Sequence, residues 1–150
     1  MIGAVLDKLR DLRRKRILSA DLAKGRRGED LAHRYLRRRG YTVVARNYRL
    51  AAGDAEADLI ARQGEAVVIV EVKTRETAEF GPPDRAIGPD KQRHLLRIAR
   101  EYSHKTGVPL ENFRVDVVAI VLTKPLHIEL HRNVIHSAFK EAATRAATRG

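Results

Sequence analysis

A chain of 150 residues with 43% hydrophobic and 33% charged side chains is sized for one globular domain with a core of its own. It has no cysteine, which excludes disulfides and thiolate metal sites, and no apolar run near the roughly 18 residues of a transmembrane helix. The formal net charge of +11 attracts polyanions, of which nucleic acid is the commonest soluble one.

Residues 1–22 place Ile2, Val5, Leu6, Leu9 and Leu12 at helical spacing, with Lys8, Arg10, Arg13, Arg14, Lys15 and Arg16 elsewhere on the helix. This predicts a basic amphipathic helix or arm. Its chemistry suits a DNA contact, a membrane surface, a partner helix, or an appendage packing one stripe on the domain. Charges from Asp7 onward leave no signal-peptide core, so the expected location is cytoplasmic. The folded domain is expected over residues 23–136. Lys24–Gly28 reads as a break, and a second helix follows over about residues 29–39, with Leu31, Ala32, Tyr35 and Leu36 buried and Gly40 as its C-terminal cap. Glu29 lies in the first turn, where the helix dipole alone accounts for a carboxylate.

Tyr41 to Leu50 predicts a first strand, and Ala51-Ala52-Gly53 turns the chain into a hairpin over residues 56–73. Val67-Val68-Ile69-Val70 is a β-branched run suited to a buried strand, and it ends in Glu71-Val72-Lys73. Gly64-Glu65 fits a two-residue type II′ loop. That register sets Asp58 opposite Glu71 and Glu56 opposite Lys73, so four ionisable groups share one face. Directly opposed carboxylates, with Cβ atoms about 4.5–5.5 Å apart, repel unless a cation lies between them. Asp58 and Glu71 are thus a candidate ligand pair for Mg²⁺, which takes one or two carboxylates and keeps its waters. Lys73 can orient that water or offset developing negative charge. A metal, a positioned nucleophile and a cation are the parts that phosphodiester hydrolysis needs. A plain cross-strand ion pair explains Glu-x-Lys equally well.

Residues 74–89, rich in Gly and Pro, form a long loop directly after Lys73 and are a candidate substrate contact. A helix follows over 90–105, capped by Asp90 and stopped by Gly107. Leu95, Ile98, Ala99 and Tyr102 face the core, and Lys91, Arg93, Arg97, Arg100 and Lys105 lie largely elsewhere. Strands are expected at 113–122, interrupted by Asp116, and at 126–130, and residues 137–150 read as a frayed helical tail. His127, His131 and His136 do not have the spacing of a zinc site. Helix, three strands, helix, two strands is the order of an α/β domain with a mixed sheet.

Several motifs then occur in order: Gly28-Glu29-Asp30-Leu31-Ala32, Tyr35-Leu36, Gly40-Tyr41, Arg46-Asn47-Tyr48-Arg49, Asp58-Leu59-Ile60-Ala61 and Val70-Glu71-Val72-Lys73-Thr74-Arg75. With Lys91 and Arg114–Ile120, this string resembles the YraN family of bacterial proteins over roughly residues 24–136. That family in turn resembles the PD-(D/E)XK nuclease superfamily and its Holliday-junction resolvases. The resemblance implies a restriction-endonuclease-like three-layer core with a mixed five-stranded sheet flanked by helices. It implies catalytic roles for Asp58, Glu71, Lys73 and Glu29, with Asp58, Glu71 and Glu29 holding Mg²⁺ or Mn²⁺ and Gln92 as an accessory polar group. It also implies an endonuclease selective for branched or junction DNA, with a homodimer matching a two-fold substrate. The chain departs from the family at Ala55-Glu56-Ala57-Asp58, where Gly-Glu-x-Asp is usual and the glycine stands at 53. That shift implies a bulge that moves Glu56. The arm at 1–22 lies outside the family's usual extent.

The cations expected to meet phosphates are Arg26, Arg27, Arg46, Arg49, Arg75, Lys91 and Arg93. Aromatic content of 5% supplies few stacking platforms, so duplex or branched DNA fits better than single strands. Two other readings remain open: a non-catalytic DNA-binding protein with a nuclease-like fold, and an interaction protein that works through residues 1–22.

Overall fold

The computed structural model describes residues 2–77 and 86–149, and for residues 17–22 the backbone alone. Residues 78–85, the middle of the loop expected at 74–89, therefore lie outside the described residues, and Thr74 and Arg75 belong to a strand. The elements run α1 (Ile2–Arg38), β1 (Thr42–Arg49), β2 (Glu56–Gln63), β3 (Ala66–Arg75), α2 (Pro89–Thr106), a 3₁₀ turn (Leu110–Asn112), β4 (Phe113–Val121), β5 (His127–His131) and α3 (His136–Arg149). The strands lie side by side in chain order. β3 and β4 are parallel, and the other neighbours are antiparallel. The result is the expected α/β fold, a mixed five-stranded sheet flanked by helices. No helix among the described residues is long and apolar enough to cross a membrane.

Each sheet face has its own core. Ala32 and Leu36 of α1 pack on Leu59, Ala61, Val68, Val70, Val118 and Ile120. Leu95, Ile98 and Ala99 of α2 and Phe139 of α3 pack on the opposite face, against Ile60, Val67, Ile69, Val115 and Val117. The run Val67–Val70 is buried throughout because its alternate side chains feed both cores.

Three expectations need correction. No break occurs at Lys24–Gly28, and α1 is continuous for 37 residues. Glycine weakens a helix interior by about 1 kcal/mol but removes no backbone donor, so it need not end one. Gly28 is instead a contact point: a Cβ there would collide with Thr74 Oγ1 of β3. The C-terminal segment is helical as expected but more than a tail, because α3 buries Phe139 and Ala142 in its first half. Gly88, not Asp90, caps the start of α2. Asp90 sits in the first turn and pairs with Arg93. The stop at Gly107 holds, with φ 75°.

The hairpin register is the expected one, from Leu59↔Val70 to Gln63↔Ala66, around Gly64 at φ 58°. The irregularity falls in β1 instead of β2. β1 slips register between Val43 and Ala45, and Asn47 takes a left-handed φ of 49°.

Asp116, which interrupts the apolar pattern of β4, is fully buried. Its carboxylate accepts from the Tyr41 hydroxyl at 3.2 Å, Arg114 Nε at 3.0 Å and the Asn133 backbone N–H at 3.0 Å. One side chain thus ties the entry to β1, strand β4 and the turn after β5. Removing it strands a largely buried guanidinium, so Asp116→Ala should lower stability by about 3–5 kcal/mol in urea unfolding.

Candidate active site

Alternation along β3 continues from Val67 and Ile69, which face α2, so Glu71 and Lys73 face α2 as well. Val72 and Thr74 lie under Gly28 of α1. β2 pairs with β3 only as far as Leu59↔Val70. Past that point the Val72 N–H donates to Asp58 Oδ2 at 2.8 Å, so the aspartate side chain serves as the acceptor where the ladder has ended. This fixes Asp58 at the end of β3, beside Glu71.

Glu71 is 3% exposed, and its Oε1 is buried without a hydrogen-bond partner among the described residues. Burial, and then the Asp58 carboxylate, push its pKa up to about 7 from 4.5. Burial raises Asp58 as well, against the Val72 N–H and the two lysines, which act to lower it. The opposing charge comes from Lys91 in the first turn of α2. Its Nζ lies 3.5 Å from Glu71 Oε1 and donates to the Glu56 carbonyl at 2.6 Å. Lys73 is half-buried and makes no ion pair among the described residues.

The structure thus gathers Asp58, Glu71, Lys73 and Lys91, and sequence reasoning missed the last, having grouped it with the phosphate contacts. Glu56 does not join them through its side chain. Where β2 leaves β3 it stays paired with β1, and Glu56 Oε2 meets Arg49 Nη2 at 3.1 Å. Gln92 is turned away too, donating to the Ile87 carbonyl at 3.0 Å. Glu29 faces β1: its Oε2 accepts from Asn47 Nδ2 at 3.2 Å and lies 3.7 Å from Arg46. In the β1–β2 register Asn47 falls across from Asp58, so this left-handed residue links the α1 carboxylate to the strand that carries the aspartate. Asparagine's tolerance of that conformation is the signal that was available in the sequence.

Of the cations expected to meet phosphates, Arg46 is engaged by Asp30 at 2.7 Å, Arg49 by Glu56 and Arg93 by Asp90. Arg26, Arg27 and Arg75 are exposed. Among the described residues no three His, Asp or Glu side chains converge as a metal cage. Two carboxylates, one with an unmet buried oxygen, suffice for an ion such as Mg²⁺ that retains water.

Residues 28–120 match the uncharacterised protein family UPF0102. A UPF0102 protein of Solibacter usitatus is 44% identical over 129 residues, which cover 86% of this chain and 96% of that one. Another, from Geobacter sulfurreducens, is 45% identical over 101 residues, covering 67% and 77%. The solved structure of Pyrococcus furiosus SfsA in complex with Ca²⁺ shares 16% identity at a TM-score of 0.36, over 75% of this chain and 63% of that one. That likeness is too loose to inform function.

The raised Glu71 pKa has a testable sign. Its folded value exceeds its unfolded value, so the stability it contributes is present below about 4.5 and lost as pH rises to about 7. Relative to Glu71→Gln, the metal-free protein should lose on the order of 3 kcal/mol across that window. Denaturant unfolding at a series of pH values reads this directly, and parallel curves for the two proteins would exclude a strained carboxylate.

Proposed function

This chain belongs to the uncharacterised protein family UPF0102, and we propose that it is a metal-dependent endonuclease of the PD-(D/E)XK type acting on DNA. The observation that carries the reading is Glu71, a buried carboxylate with an unmet oxygen, set beside Asp58 and faced by Lys91. The Lys91 ammonium faces that oxygen at 3.5 Å without a hydrogen bond to it, so the ion pair only partly meets the carboxylate and a bound cation would complete it.

In this reading Asp58 and Glu71 hold Mg²⁺ or Mn²⁺. When bound, the ion supplies Lewis-acid activation of water and of a phosphoryl oxygen. Asp58 is aimed by the Val72 N–H, and Glu71 by its burial between the sheet and α2. Lys73, without a carboxylate partner among the described residues, is the group available to hold the attacking water or a phosphate oxygen. Lys91 offsets the charge of the two carboxylates in the metal-free protein. Glu29 already has Asn47 and Arg46 as partners, and the two-carboxylate site does not require it.

The surface charge and the exposed Arg26, Arg27 and Arg75 suit phosphate contacts, and low aromatic content favours duplex or branched DNA over single strands. The wild type with Mg²⁺ or Mn²⁺ should cleave at least one of duplex, flap or four-way-junction DNA. Lys73→Ala should lose about 10²–10³-fold in rate while binding is retained. No cleavage of any substrate, with equal salt-sensitive binding by both proteins, would leave a DNA-binding module in place of an enzyme.

A further inference from the structure

Residues 2–16 of α1 take no part in the site or in either core. Five of the seven large apolar side chains left exposed among the described residues lie there: Ile2 at 79%, Val5 at 59%, Leu6 at 48%, Leu9 at 56% and Leu12 at 49%. The stripe that sequence reasoning allowed to pack on the domain therefore does not do so. At about 100° per residue the five fall within about 120° of one another, the width of a buried helix face.

The charges are sorted around this stripe. Lys8 and Arg10 fall about 40° beyond its two edges, and Arg13 and Arg16 close its C-terminal end. Asp7 and Asp11 lie at the opposite pole, where Asp7 pairs with Arg10 at 3.6 Å. Apolar side chains are thus flanked by long cations, with the acids turned away.

Partner classes can be weighed on that pattern. Nucleic acid would use the cations and leave five aliphatic side chains in water. A second copy packed through the stripe, with Ile2, Val5, Leu9 and Leu12 as the seam, sets Lys8 against Arg13 of its partner if parallel, or Lys8 against the same lysine of its partner if antiparallel. Both arrangements oppose like charges. An anionic bilayer meets both features at once, because aliphatic groups enter the acyl boundary while flanking lysines and arginines reach the headgroups. Neither signal is strong alone; a short apolar stripe joined to a polybasic run is the two-part arrangement that gives lasting surface attachment.

We propose that residues 2–16 of α1 are a surface anchor that lies on an anionic lipid bilayer through Ile2, Val5, Leu6, Leu9 and Leu12. The anchor is independent of the nuclease reading, since it shares no residue with Asp58, Glu71, Lys73 or Lys91.

The test is co-sedimentation of the full chain with vesicles of phosphatidylcholine alone or mixed with phosphatidylglycerol, beside urea unfolding of each protein. The wild type should bind the mixed vesicles at least about tenfold better than the neutral ones, and high salt should weaken this. Leu6→Ser/Leu9→Ser, which leaves the charge unchanged, should lose about tenfold in vesicle binding while the urea-unfolding midpoint holds, which also shows that the domain is folded. The proposal is overturned by absent binding to mixed vesicles, as an acidic protein partner would give. It is equally overturned if binding is indifferent to the leucine substitutions, or if wild type self-associates through the stripe and the double variant does not.

Discussion

Glu71 carries an ionisable group into the end of a buried strand, next to a second carboxylate and with one oxygen unmet. Such a group is costly unless a cation answers it. Lys91 answers only in part, at 3.5 Å, because its ammonium is also committed to the Glu56 carbonyl. Much of the local architecture follows from this. β2 must leave β3 after Leu59 for Asp58 to turn its carboxylate onto the Val72 N–H, and the first turn of α2 must return over the sheet for Lys91 to reach the pair.

The other sheet face shows the complementary arrangement. Gly28 lets α1 approach β3 closely enough to touch Thr74 and Val72, the residues that alternate with Glu71 and Lys73. Glu29, the next residue, is thereby delivered to Asn47, whose left-handed backbone lies across from Asp58. A helix glycine and a strand asparagine, each locally unfavourable, lie against the strand segments that carry Glu71 and Asp58. Local rules tend to fail where function sets the constraint.

The hairpin was legible because its signals are local. Gly64-Glu65 selects the turn, the turn sets the register, and the β-branched run fixes which residues are buried. Asp58 and Glu71 follow from that arithmetic. Lys91 did not, because a basic run on a helix is degenerate until the β3–α2–β4 crossover shows which turn lies over the strand end. Glu56 was misplaced for a related reason: the turn sets the register but not where the ladder stops, and beyond Leu59 the strand belongs to β1. The continuity of α1 was hidden by two glycines that resemble a break and that the helix tolerates.

The central claim is that Asp58 and Glu71 form a site for a divalent cation. Calorimetric titration of the metal-free protein with Mn²⁺ tests it most directly. One ion per chain is predicted, with affinity rising between about pH 6 and 8 as Glu71 ionises, and with binding lost in both Asp58→Asn and Glu71→Gln. No saturable binding, or binding unchanged in those two variants, would contradict it.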